Sequence, residues 1–376
     1  MALELPVMPA GVNGRHEALV RRSPVPPPQA RGSAMIRTRA RMATPLALLL
    51  LLILSAPVAD QAARSASATD SDMAWLSAFG TDHPLAGRIW RPSDGRFVDR
   101  DTVAAALEEA TFGLLGEKHD NPDHHRLQSL LIEALIGRGR RPAVVFEMFA
   151  TDQAPAIAEY LGANPRDAAG LGAAVGWAER GWPDWEMYAP MVQAALDAGL
   201  PVAAADLPKD VARTLRRQGT AGLEAGLIAR LGLDRPLDPA ARAVMATVLR
   251  DSHCGQLPEH MIEPMVLAQR ARDAHIALSL VEAATAADGG VLITGAGHAR
   301  TDHGVPWHLK RLAPGRLVRT VALIEVSEAM TDPREYAEIF GVESLPFDFV
   351  WFTPRVDVGD PCEKFSEQLK QLEQGE

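Results

Sequence analysis

Four continuous apolar runs of strand length constrain the fold of this 376-residue chain more than any other feature of its sequence. They are Phe112–Leu115, Pro142–Phe149, Leu200–Ala205 and Gly290–Ile293. A run without polar alternation suits a strand buried on both faces, as in a parallel sheet covered by helices. Each run also ends in polar chemistry: Glu117 and His119 after the first, Glu147 near the end of the second, Asp206 after the third and His298 after the fourth. Open α/β sheets bind their ligands outside the carboxyl ends of the strands. The fold class expected is therefore α/β, a mostly parallel β-sheet flanked by helices, with a small helical subdomain inserted.

Helical spacing fills the gaps between the runs. Thr102–Ala110 carries Val103, Ala106 and Leu107 on one face, with Asp101 as the expected cap. Asn121-Pro122 opens a second helix, with Asn121 as cap and Pro122 at its first position. Leu127, Leu130, Leu131, Ala134 and Leu135 recur along it until Gly137 and Gly139. Residues 207–286 read as helical throughout, broken at Gly232, Asp234-Arg235-Pro236 and His253-Cys254-Gly255 into about four helices. Ile89-Trp90 and Arg96–Val98 are expected as short edge strands, Val318–Val326 and Phe347–Phe352 as late ones.

The amino terminus has a different character. Arg37, Arg39 and Arg41 precede the apolar run Leu46–Leu54 and then small residues, the order of a secretory signal peptide. The run is short for a transmembrane helix. The organisation expected is an upstream tail over 1–34, a signal peptide over 35–64 and a linker over 65–84. An α/β core follows over 85–206 and 287–355, divided by the helical subdomain over 207–286, and 356–376 forms a C-terminal helix or tail. Export to the periplasm is the expected destination. No cysteine follows the apolar run, so a leader-cysteine lipoprotein is not expected, and membrane contact is left to an uncleaved leader alone.

Charge narrows the partners. Residues 1–59 hold seven arginines against Glu4 and Glu17, while the whole chain carries −10. The acidic remainder has no basic stripe, which argues against nucleic-acid binding. Two cysteines, Cys254 and Cys362, match no zinc template, with or without His253 and His260. A loop role for these residues or a disulfide between the two cysteines is the reading, and the sequence leaves the pairing open.

Seven motifs occur in one order: GEKHDNPDHHRLQ, VVFEMF, GWPDWEMYAP, ADLPKD, SHCG, AQRARDAHIA and GAGHARTDHGVP. With them the chain, over roughly residues 85–355, resembles the ChaN-like haem-binding uptake family of the Tiki superfamily. The resemblance implies a parallel α/β core with a small helical bundle, haem binding through a tyrosine, and a role in iron uptake, with a homodimer possible. It also implies a pair of Gly-x-x-His turns, matched by Gly116–His119 and Gly295–His298. Related proteins include metal-dependent proteases and erythromycin-esterase-like proteins. The alternative function is accordingly a metal-dependent hydrolase, protease- or esterase-like.

Site residues follow from these readings. His119, His298, Glu117 and Glu147 are the candidate catalytic and metal-binding set, since neutral imidazole and carboxylate suit Mn, Co or Zn. A glutamate would serve as general base or orient a histidine. Lys118 is expected to face solvent. His125 is preferred over His124 as the histidine facing the crevice, the other being left to solvent. Arg300 is a candidate partner for a haem propionate, Asp302 a candidate orienter of His298 or helix cap, and His303 is undecided. Three tyrosines exist, Tyr160, Tyr188 and Tyr336, and a tyrosinate ligand must be one of them. Tyr188 lies in a family motif rich in tryptophan, which also suits packing, and Tyr160 is expected to be the more exposed.

Overall fold

The computed structural model describes residues 74–360 together with 362, 363 and 366. The upstream tail, the signal peptide, the first part of the linker (65–73) and most of the C-terminal helix or tail lie outside the described residues. The strands are β1 (Ile89–Arg91), β2 (Arg96–Val98), β3 (Phe112–Glu117), β4 (Ala143–Ala150), β5 (Val202–Asp206), β6 (Gly290–Gly295), β7 (Val318–Glu325) and β8 (Phe349–Thr353). They form one sheet in the order β2-β1-β8-β7-β3-β6-β4-β5. The six strands from β8 to β5 run parallel, and β1 and β2 extend the β8 edge antiparallel.

The helices are α1 (Arg100–Glu109), α2 (Pro122–Gly137), α3 (Ala154–Ala163), α4 (Ala168–Ala174), α5 (Trp185–Asp197), α6 (Lys209–Gln218), α7 (Ala225–Leu231), α8 (Pro239–Ser252), α9 (Glu259–Ala283) and α10 (Val305–Leu312). Successive residues of the apolar runs divide between two cores, as the period of two requires. Leu115, Val144, Phe146, Val291 and Ile293 pack on one face with Leu127 and Leu131 of α2 and Met191 and Val192 of α5. Leu114, Val145 and Leu292 pack on the other with Ile276 and Leu280 of α9 and Leu309 of α10. Burial on both faces is why these strands are apolar without interruption. Two smaller apolar clusters lie beyond the sheet. One joins Leu207, Leu215, Leu231 and Ala271, the other Met245, Leu257, Ile262 and Val266, and α9 contributes to both.

Two local expectations are corrected. Asp99 caps α1, accepting from the Thr102 amide at 2.8 Å, and Asp101 sits in the first turn. An N-cap needs extended backbone one residue before the helix, and the chain meets that condition at Asp99. β3 also continues past its apolar run to Glu117, because Gly116 and Glu117 stay in register with Thr294 and Gly295 of β6.

Helices α2 and α10 follow the adjacent strands β3 and β6 but pack on opposite faces of the sheet. That divergence opens a crevice at the carboxyl ends of β3 and β6, the switch-point position for a ligand. Close approach is built in there. A Cβ on Gly116 would stand 2.9 Å from the Ala296 backbone, so only glycine lets the two turns meet.

Candidate functional site

Glu117 ends β3 fully buried, and three side chains converge on its carboxylate. His119 Nδ1 stands 2.8 Å from Oε1, the Tyr188 hydroxyl donates to Oε1 at 2.9 Å, and His125 Nδ1 lies 3.0 Å from Oε2. Burial alone would raise the Glu117 pKa, but His125 and His119 outweigh it and hold the group down at about 2. His125 Nε2 also donates to the His119 carbonyl at 2.9 Å. Burial would lower the His125 pKa, but the Glu117 carboxylate 3.0 Å from Nδ1 and the His119 carbonyl at Nε2 outweigh it, and the pKa is raised. His125 thus lies beneath the turn and fastens it to α2.

His119 is the partly open member, its side chain 18% exposed, with Trp182 edge-on at 5.0 Å between ring centroids. Its Nδ1 is held by Glu117, and its Nε2 lies over Gly295, 3.0 Å from where a Cβ would stand. His124 does not face solvent, contrary to expectation. Fully buried, it accepts from the Lys118 amide at 2.8 Å through Nδ1 and meets Thr353 Oγ1 at 2.8 Å through Nε2. The Asn121 cap turns α2 so that both histidines point inward. Lys118 likewise does not simply face solvent, since it pairs with Glu325 at 3.1 Å and Asp120 at 3.0 Å.

Glu147, on β4, anchors the second turn. Its Oε2 accepts from Thr294 Oγ1 at 2.6 Å and the Gly295 amide at 2.7 Å, and its Oε1 accepts from Arg272 at 2.8 Å. His298 Nε2 stands 3.1 Å from the same Oε1, while His298 Nδ1 stands 2.6 Å from Asp273 Oδ1. Burial lowers the His298 pKa, but Glu147 and Asp273 outweigh it and lift it to about 10, so the ring is an imidazolium. The same pairing holds Glu147 well below the ordinary carboxylate range despite burial. Arg272 goes on to Asp206 at 2.9 Å, which joins the end of β5 to the network.

The structure therefore brings Glu117, His119, Glu147 and His298 to one crevice, with Tyr188 and His125 beneath the first turn. Arg300 is placed elsewhere. It is buried, pairs with Asp302 at 2.8 Å and donates to the Phe340 carbonyl at 3.0 Å, so no propionate can replace those partners without unburying it. Asp302 serves Arg300 and His303 and makes no contact with His298. Tyr160 lies apart on α3, where its hydroxyl donates to Asp167 at 2.5 Å. Tyr336 is fully buried, accepting from the Ser327 amide and donating to the Met330 carbonyl.

Sequence reasoning missed Arg272 and Asp273. Both occur in a motif that resembles the family, and both are charged residues on a helix with an apolar face, which is the signal that marks them. It also missed Asp167 and Trp182, whose roles come only from loop placement.

The metal reading meets these contacts directly. Glu147 already accepts from three donors and faces His298, and both nitrogens of His298 face carboxylates. Among the described residues no group of three or more His, Cys, Asp or Glu is arranged to hold a metal ion. The site as folded is a charge-paired lattice, in which His119 Nε2 is the basic atom left for chemistry or ligation.

Residues 103–309, more than half of the chain, match the family described as haem-binding uptake, Tiki superfamily, ChaN. The chain belongs to this family. The ChaN fold accounts for its sheet. The structure described as cofacial heme binding to ChaN of Campylobacter jejuni is 18% identical, covers 70% of this chain and 95% of its own, and superposes with a TM-score of 0.50. The type III effector HopBA1 is 15% identical over 68% of this chain and 92% of its own, at a TM-score of 0.35. An erythromycin esterase mutant, EreC in its open conformation, is 15% identical over 68% of this chain and 78% of its own, at 0.36. No curated protein matches the chain.

Proposed function

We propose that this ChaN-family chain is an exported haem-binding protein acting in haem or iron uptake, with Tyr160 as the iron ligand. The Tyr160–Asp167 pair carries the reading. Of the three tyrosines, Tyr188 and Tyr336 are fully buried with their hydroxyls committed inside the fold, while Tyr160 is half-buried. Its hydroxyl donates to the Asp167 carboxylate, so it is held at the edge of the fold and not inside it. The Asp167 hydrogen bond raises the Tyr160 pKa, so the free protein holds the phenol protonated and ligation must release that proton. Bound haem would supply the iron that is carried, and Tyr160 would hold it as phenolate.

Haemin titration of the exported form tests this through the Soret band. A saturable shift is expected, with affinity rising as pH rises because a proton leaves. Tyr160→Phe is expected to weaken binding at least about tenfold, roughly 1.4 kcal/mol, and Tyr188→Phe to leave it unchanged. A saturable Soret shift indifferent to Tyr160→Phe would move the ligand elsewhere, and no saturable shift would end the haem reading. Sedimentation with and without haemin checks for a homodimer.

Export draws support from the leader pattern at 35–64 and from the Cys254–Cys362 disulfide, which suits an oxidising compartment. No described helix is long and apolar enough to cross a membrane.

A second reading, hydrolysis, is favoured by His119, whose Nδ1 is oriented by Glu117 and whose Nε2 remains available as a general base. In its metal-dependent form, with Mn, Co or Zn, His298 and Glu147 would first have to leave their present partners. Ester and amide turnover assayed alongside metal content, in wild type and His119→Ala, decides it: turnover lost in the variant supports hydrolysis, and none in wild type removes it.

A further inference from the structure

Where α9 packs against α10, three polar groups have no hydrogen-bond partner at particular atoms. Asp273 is 1% exposed and gives Oδ1 to His298, while its Oδ2 is unpartnered. His308, on α10, is also 1% exposed, and neither ring nitrogen has a partner. Arg270, one turn before Asp273 on α9, donates through Nη2 to the Gly232 and Arg235 carbonyls and leaves Nε unpartnered. His308 lies within electrostatic reach of both Asp273 and Arg270.

These groups complement one another. Burial lowers the His308 pKa to about 4, which Asp273 only partly opposes, so the ring is neutral near pH 7 and offers one N–H and one lone pair. Asp273 Oδ2 is an acceptor and Arg270 Nε a donor. Orphaned atoms of both kinds within one buried interface are what an internal water satisfies, since it needs two to four polar partners. A metal ion does not suit the place, because the positive charge of Arg270 is felt at His308 and, among the described residues, no group of three or more His, Cys, Asp or Glu is arranged to hold one.

We infer that the α9–α10 interface holds a resident water that bridges Asp273 Oδ2 to His308. The water completes a continuous polar chain, Glu147–His298–Asp273–water–His308, from the second Gly-x-x-His turn to α10. Asp273 and His308 then act as positioning residues for His298. The Val305 amide, which donates to the His298 carbonyl at 2.8 Å, already ties the start of α10 to the same turn. The inference is independent of whether haem binds.

A high-resolution crystal structure of the full chain tests it. The expected result is an ordered water within hydrogen-bond distance of Asp273 Oδ2 and a His308 ring nitrogen. A dry interface, a direct Asp273–His308 hydrogen bond or an ion in that place overturns it. Thermal melting of His308→Leu gives a second readout. If a water serves both groups, leucine expels it and leaves Asp273 Oδ2 stranded, and the melting temperature falls by roughly 2–4 °C or more. If the imidazole nitrogens are unpartnered in the folded protein, leucine removes that burden, and an unchanged or raised melting temperature overturns the inference.

Discussion

Glu117 and Glu147 do for the two Gly-x-x-His turns what no backbone hydrogen bond alone could do. Each is a buried carboxylate whose oxygens are shared among donors from different elements, so each turn is fixed by charge as well as by packing. Removing one partner from such a pair leaves its counter-charge buried and unpaired. Glu147→Ala is therefore expected to cost about 3–5 kcal/mol in urea unfolding, toward the lower end because Arg272 keeps Asp206. Gly116→Ala acts by volume instead. Its Cβ would press on the Ala296 backbone at 2.9 Å and on Ala299 at 3.0 Å, and backbone cannot swing aside as a side chain can. A loss of about 1–3 kcal/mol is expected in the same assay, with the denaturant slope unchanged.

At the scale of elements, the crevice exists because β3 and β6 are neighbours whose following helices take opposite faces. The sequence marked both strands and both turns, since continuous apolar runs and Gly-x-x-His are local patterns. It did not mark α9 as a third wall, although α9 supplies Arg272 and Asp273 to the second turn. Those contacts join residues far apart in sequence, and spacing within one helix says which residues share a face but not what that face meets. The same limit explains His124. A helix start tolerates histidine at the surface, and only the return of β8 to place Thr353 beside it makes it a buried strut.

For the molecule as a whole, the paired charges set a window of pH stability. Glu117 has a folded pKa of about 2 against an ordinary 4.5, so its contribution is present above 4.5 and lost as pH falls toward 2. His298 has a folded pKa of about 10 against 6.5, so its contribution is full below 6.5 and lost as pH rises through 10. Calorimetry between pH 3 and 10 is expected to show a plateau between about 4.5 and 6.5, and His298→Gln is expected to flatten the alkaline limb. The Cys254–Cys362 disulfide closes a loop of 108 residues. Restricting the unfolded chain by that much is worth up to about 4–5 kcal/mol. Reduction, or Cys254→Ser with Cys362→Ser, should lower the melting temperature measurably, and an unchanged value would mean the bond does not form in solution.

By itself the sequence determined the α/β class, the strands that carry the site, the paired turns and the family resemblance. All of these are written in short-range pattern: apolar runs, caps, glycines and motifs in order. Tertiary structure decided which polar residues face one another. It committed Tyr188 and His125 to Glu117, withdrew Arg300 to Asp302, left Tyr160 half-buried with Asp167, and gave both nitrogens of His298 to carboxylates. A residue's identity names the charge it can carry. Its partners decide whether that charge holds the fold or remains free for a ligand, and those partners come from strands and helices that only folding brings together.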